Sequence, residues 1–307
     1  MFGYKNFLDV IKAFFINIFT LFIPYFPKPL IRFISGILGL FSFLILKRRR
    51  RAIIEVMKVI KPEASNREIA GLACRSLINY ALNFADFMYL YHMKPKELIS
   101  ITEATGIEHL REILKRKQGV VIVTAHLGNW EVGANFFAAA GFPILGIVES
   151  AGPGEKFYKL FKRYREHFGM VIVSLEERSV GFKMRRFLKK GYIIGLVGDR
   201  DIAGTGIEVM FFNRRSILPQ GPAFLSLVTK TPIVTVFFLR NKKGGEKVYR
   251  AIVEEEIIFH PAGTMKDNVR ELTQVLANRL EKMIKEYPDQ WFSFPPPWEL
   301  WKNKKQQ

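Results

Sequence analysis

The sequence predicts an α/β fold with a mostly parallel central sheet flanked by helices, preceded by an N-terminal hydrophobic helical segment that associates with a membrane. Two observations support this prediction: strand and helix patterns alternate from residue 106 to residue 198, and residues 1–51 are strongly apolar and basic. With 307 residues, 49% of them hydrophobic, the chain is long enough to bury a substantial core. We therefore expect one α/β domain and an N-terminal appendage.

Residues 1–46 are the most apolar part of the chain and are interrupted by prolines at Pro27 and Pro29. Neither half is an uninterrupted span of about 20 uncharged residues, and no small-residue cleavage site follows, so we do not expect a removed signal peptide. The run Lys47–Arg51 (KRRRR) comes next, and residues 1–51 hold nine basic residues and one acid, a net charge of 9 − 1 = +8. This pattern favours a membrane anchor, interfacial or single-pass, with the basic run on the anionic cytoplasmic face. The alternative is a core helical hairpin with a solvated basic turn.

The predicted domain organisation has three parts: a membrane-associating segment (1–51), an α/β domain (52–301) and a basic tail (302–307).

The formal charge of +19 points to a polyanionic partner, either a membrane surface or nucleic acid. Nucleic acid is disfavoured because the basic residues are not interleaved with aromatic ones in a recognisable module. The single cysteine, Cys74, excludes an internal disulfide and a cysteine-based metal cluster.

The α/β pattern itself is regular. A long apolar helix, Arg67–Met93, is predicted to pack on the α/β body, and right-handed crossovers should follow it. The pattern predicts helices at 106–117, 129–140, 155–167 and 177–190, and strands at 119–124, 143–148, 170–174 and 192–198.

One stretch, GVVIVTAHLGNWE from Gly119 to Glu131, carries the strongest functional signal. A buried strand ends before His126, and Asn129 is a good N-cap for the next helix, so Glu131 falls in its first turn. Ligand sites of open α/β sheets lie at the carboxyl ends of the strands, which is where His126 is predicted to be.

The spacing of His126 and Glu131 suits a base and its orienting acid. On one helix the two side chains would point about 140° apart, but a turn at Gly128 allows them to approach. A neutral imidazole held by a carboxylate at one nitrogen is a general base at the other. The alternative is a strand-end histidine beside a glutamate that simply favours a helix N-terminus.

Charged residues also follow two other predicted strands. Asp199, Arg200 and Asp201 come directly after YIIGLV, and Glu149 ends PILGIVE. Carboxyl ends of parallel strands share one edge, so these residues are candidates for the same site as His126. The alternative for Asp199 and Asp201 is an ion pair with Arg200 and turn capping.

The motif AHLGNWE resembles that of the lysophospholipid-acyltransferase-like superfamily, and its nearest branch contains the lipid A late acyltransferases (lauroyl and myristoyl) and the phosphatidylinositol mannoside acyltransferase. The signature of that branch is H-x4-D/E, whereas Ala125 and Glu131 depart from the glycerol-phosphate branch. The GDRD run, the Phe211-Phe212 pair and the segment Tyr287–Trp291 (YPDQW) extend the resemblance over most of residues 1–300. Asn213 replaces a family glycine, and FSFPPPWE lacks the family's terminal basic residue.

The resemblance implies acyl transfer without a resident cofactor or metal. His126 would deprotonate a lipid hydroxyl and Glu131 would orient the imidazole. Backbone N–H groups near Gly128, or Arg165 or Arg200, would stabilise the oxyanion. The implied substrate-binding residues are Glu149, Arg165, Asp199, Arg200, Asp201 and Asn129.

The resemblance also implies the partners. The donor would be a thioester of acyl carrier protein or coenzyme A, and the acceptor a lipid A precursor, another glycolipid or a lysophospholipid, at the cytoplasmic face of the inner membrane. Direct transfer is favoured because no Ser or Cys lies in a nucleophile-elbow motif.

Two alternatives stay open from the sequence. One is a metal-dependent hydrolase with His126, Glu131, Asp199 and Asp201 as ligands. The other is a non-enzymatic protein that binds anionic membranes. The tryptophans Trp291, Trp298 and Trp301 have an alternative interpretation of their own, as aromatic anchors at a membrane interface.

Overall fold

Three long helices precede the sheet in the computed structural model, which describes residue 22 and residues 25–149, 155–202, 204–241 and 245–304. They are α1 (Lys28–Ile45), α2 (Lys47–Ile60) and α3 (Asn66–Leu90). Helix α3 begins with a capping box, in which Ser65 and Glu68 satisfy each other's backbone N–H groups. The predictions for residues 1–21, and for the end of the tail at 305–307, lie outside the described residues.

The sheet has seven strands in the order β1-β9-β8-β2-β5-β3-β4. Strands β8, β2, β5, β3 and β4 are parallel, whereas β9 runs antiparallel to β8 and β1 pairs in parallel with β9. The predicted α/β class is confirmed, and the reversed pair at one edge is an addition to it. The strands are β1 (Thr102–Thr105), β2 (Val120–Thr124), β3 (Ile144–Val148), β4 (Val171–Ser174), β5 (Ile193–Val197), β8 (Ile233–Arg240) and β9 (Tyr249–Val253), and the separate hairpin is β6 (Ile207–Phe211) and β7 (Arg214–Leu218).

Helices cover the sheet, and four of them lie within the four ranges predicted from the alternating pattern. Strand β2 is buried along four consecutive residues, as a β-branched run in a parallel sheet should be. The remaining helices are α4 (Pro95–Ser100), α5 (Ile107–Lys115), α6 (Trp130–Ala139), α7 (Glu155–Arg165), α8 (Val180–Lys189), α9 (Gly221–Thr229), α10 (Met265–Glu286) and α11 (Pro297–Lys304).

The register of β2 against β5 determines which residues meet at the carboxyl edge. Thr124 is the partner of Val197, and Gly198 N–H donates to the Thr124 carbonyl at 2.7 Å. His126 and Asp199 each follow a paired residue by two positions. Two segments 73 residues apart are therefore brought side by side by the order of the strands.

Helix α1 contacts the domain along one stripe and exposes apolar side chains elsewhere. Its buried residues Ile31, Ser35 and Gly39 recur every four positions. Gly39 allows close approach to α3, because a Cβ there would lie 2.5 Å from the Ile78 Cα. In the described part of the chain, α1 is the helix long and apolar enough to cross a membrane, judged by length and composition. Its large exposed apolar residues are Leu30, Phe33, Ile34, Ile37, Leu38, Leu40, Phe41, Leu44 and Ile45.

The basic run lies where α1 passes into α2. The Arg50 guanidinium donates to the carbonyl of Phe43 at 3.1 Å and to that of Leu44 at 3.3 Å, which satisfies the C-terminal end of α1. The Arg49 guanidinium lies 5.6 Å from the centre of the Tyr80 ring on α3. The basic run that follows the apolar helix therefore contacts both α1 and α3, in addition to adding positive charge to the surface.

Candidate active site

His126 is bound to a buried carboxylate at the carboxyl edge of the sheet. Its Nδ1 lies 2.8 Å from Asp199 Oδ1, and its backbone N–H donates to Asp199 Oδ2 at 3.1 Å. The indole N–H of Trp291 donates to the same Oδ2 at 2.6 Å. The side chain of Asp199 is completely buried, and that of His126 is 17% exposed.

Opposing effects act on the Asp199 carboxylate. Burial alone would raise its pKa, but the electrostatic interaction with His126 and the hydrogen bonds from His126 and Trp291 bring the pKa below the ordinary aspartate value. The carboxylate is therefore ionised near neutral pH and can only accept hydrogen bonds. It selects the imidazole tautomer with its proton on Nδ1, which leaves the Nε2 lone pair as a base.

Aromatic rings fix the imidazole from another side. The ring of Trp130 meets that of His126 edge-on, with ring centres 5.0 Å apart, and Phe292 lies 6.2 Å from Trp130. Tyr80 continues the row, 5.5 Å from Phe292. The backbone N–H of Phe292 donates to the His126 carbonyl at 2.8 Å. The C-terminal segment therefore restrains both the ring and the backbone of His126.

Glu131 binds an arginine instead of the imidazole nitrogen expected from the sequence. Arg165 Nε and Nη2 donate to its two carboxylate oxygens at 2.8 and 2.6 Å, a fork-like ion pair. Burial would lower the pKa of Arg165, but the charge of Glu131 outweighs that effect and raises it. The carboxylate at Nδ1 of His126 belongs to Asp199 because the β2–β5 register places it there, whereas the start of α6 directs Glu131 toward α7.

The other residues predicted for the site have different surroundings. Glu149 and Arg200 line the same cleft as His126, Glu131 and Arg165. Asp201 accepts the Gly206 N–H at 2.7 Å and shapes the loop before β6. Asn129 is buried and caps α6 by accepting the Val132 N–H at 3.3 Å.

The expected backbone donors for an oxyanion are already in use. Gly128 N–H donates to the Gln290 carbonyl, and Asn129 N–H donates to the Phe238 carbonyl, both at 2.8 Å. Arg200 and the N–H groups of Arg165 that do not contact Glu131 are the cleft-side donors, since a guanidinium has five N–H groups and Glu131 takes two of them. Arg165 and Arg200 therefore bring guanidinium N–H groups to the cleft that also holds His126.

The cleft has a polar end and an apolar arm. The cleft itself has a volume of about 610 Å³, and the arm, which lies between the sheet and α6, adds about 70 Å³. Gly195 lines both the cleft and the arm. A Cβ built on Gly195 would have no heavy atom within 4 Å, so a larger side chain here would extend into open space. The walls of the arm are apolar along the faces of β2, β5, β8 and α6, formed mainly by Ile122, Gly133, Phe137, Ile193, Val236 and Phe238. The arrangement suits a ligand with a reactive polar end and a hydrocarbon chain.

Comparison with known proteins identifies the family of this chain. The family model described as bacterial lipid A biosynthesis acyltransferase matches residues 4–300. The chain belongs to this family. It is similar to phosphatidylinositol mannoside acyltransferases of Mycobacterium tuberculosis strain CDC 1551 (27% identity, 74% of this chain, 70% of the relative) and Mycolicibacterium smegmatis (28%, 73% and 71%). It is also similar to the lipid A biosynthesis lauroyltransferase of Escherichia coli K12 (23%, 86% and 84%).

Family membership confirms the predicted resemblance and the enzyme class. The protein is an acyltransferase of the lipid A and glycolipid type. Of the ligands proposed for the hydrolase alternative, His126 and Asp199 bond to each other, whereas Glu131 pairs with Arg165 and Asp201 accepts from the Gly206 N–H. Within the ranges that the structure covers, no group of three or more His, Cys, Asp or Glu side chains could hold a metal ion.

Several residues that build the site of this acyltransferase were not predicted. Trp291, considered as a membrane anchor, is fully buried on Asp199, so that interpretation is wrong for this residue. Asn83 donates to the Gly128 carbonyl, and Gln290 accepts from Gly128 N–H. The sequence motif YPDQW contains Gln290 and Trp291, and the pattern of α3 contains Asn83. Neither pattern indicates that these residues contact the loop that follows β2.

Proposed function

We propose that the protein is a membrane-associated O-acyltransferase that moves a fatty acyl chain from an acyl thioester to a hydroxyl of a glycolipid or lipid A-type acceptor. The observation that supports this most directly is the Asp199–His126 pair at the polar end of a cleft that continues into an apolar arm. A base with a selected tautomer beside an apolar wall suits acyl transfer to a lipid alcohol.

In the proposed reaction, His126 Nε2 takes the proton of the acceptor hydroxyl while its oxygen attacks the thioester carbonyl. The negative charge of Asp199 stabilises the imidazolium that forms. The tetrahedral intermediate then collapses, the carbon–sulfur bond breaks, and the imidazolium returns its proton to the leaving thiolate. The products are the ester and the free thiol, and His126 is again neutral. No acyl-enzyme is formed.

Glu131 has a positioning role in this proposal. It fixes Arg165 in the cleft through two hydrogen bonds and balances its charge. The remaining N–H groups of Arg165, together with Arg200, then stabilise the oxyanion of the tetrahedral intermediate. In this proposal, His126 is the general base and Asp199 orients it. Glu131 orients Arg165, which stabilises the oxyanion.

Helix α1 is proposed to lie in the interface of an anionic membrane instead of crossing it. Its stripe of Ile31, Ser35 and Gly39 is covered by α3, so a crossing would carry polar α3 residues such as Arg75 and Asn79 into the hydrocarbon region, at high energetic cost. Its other sides are exposed and apolar, and the basic run follows directly. This geometry suits the cytoplasmic face of the inner membrane, where the donor thioester is soluble and the acceptor is embedded.

The experiment that tests the function measures transfer of a labelled acyl group from acyl carrier protein and from coenzyme A into lipids extracted from the host. Wild type should label one class of lipid, which mass spectrometry identifies as glycolipid, lipid A precursor or lysophospholipid. His126→Ala should be slower by about 10²–10⁴-fold. The matched control is His260→Ala, because His260 is exposed and follows Ile257, which bonds to the start of β8 at the opposite edge of the sheet.

Absence of a labelled lipid with both donors would contradict the proposal. A release of free fatty acid that a chelator abolishes would favour the hydrolase alternative. Equal transfer by His126→Ala and by wild type would remove His126 from the reaction.

A further inference from the structure

A buried cluster of charged and polar side chains lies beside the catalytic loop but takes no part in the proposed reaction. Asp86 on α3 is 9% exposed and accepts hydrogen bonds from Arg240, at the end of β8, and from the Tyr249 hydroxyl. Arg240 Nη2 lies 2.5 Å from Asp86 Oδ2. Burial and the negative charge of Asp86 raise the pKa of Tyr249 well above its usual value, so its hydroxyl remains a donor.

This cluster reaches the catalytic loop through Asn83. Arg240 Nη2 donates to Asn83 Oδ1 at 3.2 Å, and Asn83 Nδ2 donates to the Gly128 carbonyl at 2.6 Å. Because a guanidinium can only donate, it determines which way the amide of Asn83 faces. The amide nitrogen is thereby directed to Gly128, which lies between His126 and Glu131.

Gly128 lies in a turn that is packed closely against strand β8. Its φ is +67°, and a Cβ there would lie 2.1 Å from the Phe238 carbonyl oxygen. A second path joins it to Arg240, since the Arg240 backbone exchanges hydrogen bonds with the Gln290 side chain at 2.8 and 3.0 Å, and the Gln290 carbonyl accepts from Gly128 N–H. Both backbone groups of Gly128 are therefore hydrogen-bonded: its N–H to Gln290 and its carbonyl to Asn83.

The other end of the cluster contacts the apolar helix. Arg32 on α1 places its Nε 3.6 Å from Asp86 Oδ1. Asp86 is thus shared between a helix whose outer faces are apolar and exposed and the arginine that orients Asn83. Contacts continue without interruption from α1 to the carbonyl of Gly128.

We propose that Asn83, Asp86 and Arg240 are positioning residues for acyl transfer, and that Arg32 links them to the membrane contact of α1. They hold the turn at Gly128 so that His126 and the Glu131–Arg165 pair face the same substrate. This inference rests on the proposed function. Displacement of a catalytic group by about 1 Å can cost about 100-fold in rate, so a single hydrogen bond to this turn affects turnover more than binding.

The test compares Asn83→Ala with Asn79→Ala, a matched control one turn earlier on α3. Asn79 also donates to a backbone carbonyl, that of Asp289 at 3.1 Å, but not to the catalytic loop. We expect Asn83→Ala to lower kcat by about 10–100-fold with KM for the acyl donor nearly unchanged, and Asn79→Ala to keep kcat within about twofold of wild type. Both variants should lose similar thermal stability.

Equal kcat in the two variants would overturn the proposal. If Asn83→Ala does not fold, Asn83→Asp replaces it, because it keeps the shape but turns an acceptor toward the Gly128 carbonyl. The same loss of kcat is expected there, and full activity would again overturn the proposal. Wild type and His126→Ala run alongside, so an inactive wild type refutes the proposed function and this inference with it, whereas an active wild type isolates the inference.

The link to α1 is tested with Arg32→Gln against Lys28→Gln. Both remove one positive charge and one ion pair from the same helix, since Lys28 pairs with Glu97. With vesicles containing phosphatidylglycerol, both variants should co-sediment alike, but only Arg32→Gln should lose kcat, by about fivefold. Equal kcat in the two variants would contradict the link between α1 and the loop.

Discussion

Two carboxylates at the site show how differently one functional group can be used. Asp199 is wholly buried, contacts His126 and Trp291, and has a lowered pKa. Glu131 is 21% exposed, lines the cleft and pairs with Arg165. The first bonds to the proposed base, and the second to a cation that lines the cleft.

The difference teaches that proximity along the chain did not select the partner of His126. Glu131 is five residues away and Asp199 is 73, yet the distant residue makes the bond. The Asp199 carboxylate accepts three hydrogen bonds in the interior, whereas both oxygens of Glu131 are taken by Arg165 at the cleft wall. In the proposed reaction, Asp199 accordingly supports the base His126, and Glu131 positions Arg165.

The largest effect expected from this comparison is that of Asp199→Asn. The amide cannot stabilise the imidazolium, and its N–H₂ group can face Nδ1 and select the wrong tautomer, so kcat should fall by about 10³–10⁴-fold. Asp201→Asn is the matched control: it makes the same change two residues later, at a side chain that bonds to Gly206. Steady-state kinetics should show near-normal kcat for the control, and a small effect at Asp199 would contradict its role as the partner of the base.

A smaller effect is expected from Glu131→Gln. This change leaves Arg165 in the cleft without its counter-charge, so kcat/KM should fall by about tenfold and unfolding free energy by about 1–3 kcal/mol. Glu131→Gln/Arg165→Gln should recover part of the stability but none of the activity. Urea unfolding and kinetics of the two single variants and the double variant measure the coupling, and additive effects would show that the two residues act separately.

The smallest effect is the pH dependence of stability. Because the pKa of Asp199 is lower in the folded than in the unfolded chain, its carboxylate stabilises the fold above the ordinary aspartate pKa of about 3.9. This contribution is lost as pH falls through the lowered pKa. Urea unfolding from about pH 7 to about pH 3 should show the stability advantage of wild type over Asp199→Asn shrinking with acidity, and a constant advantage would contradict the lowered pKa.

Local pattern was sufficient for most elements of the α/β domain. The β-branched run of β2, the N-cap Asn129 and the glycine that follows α6 made the strand–turn–helix unit around His126 predictable. The reversed strands β9 and β1 were not predicted, because direction within a sheet depends on connections and edge packing that a single strand does not encode.

By itself, the sequence determined the fold class, the placement of His126, Glu131 and Asp199 at strand and helix ends, and the family, since those follow from local periodicity, capping and motif. Only the tertiary structure decided the pairings. The β2–β5 register brought Asp199 to His126, α7 brought Arg165 to Glu131, and α3 brought Asn83 to Gly128. The physical reason is that a charge buried in a low-dielectric interior takes the partner that packing presents, and packing joins segments regardless of their distance along the chain.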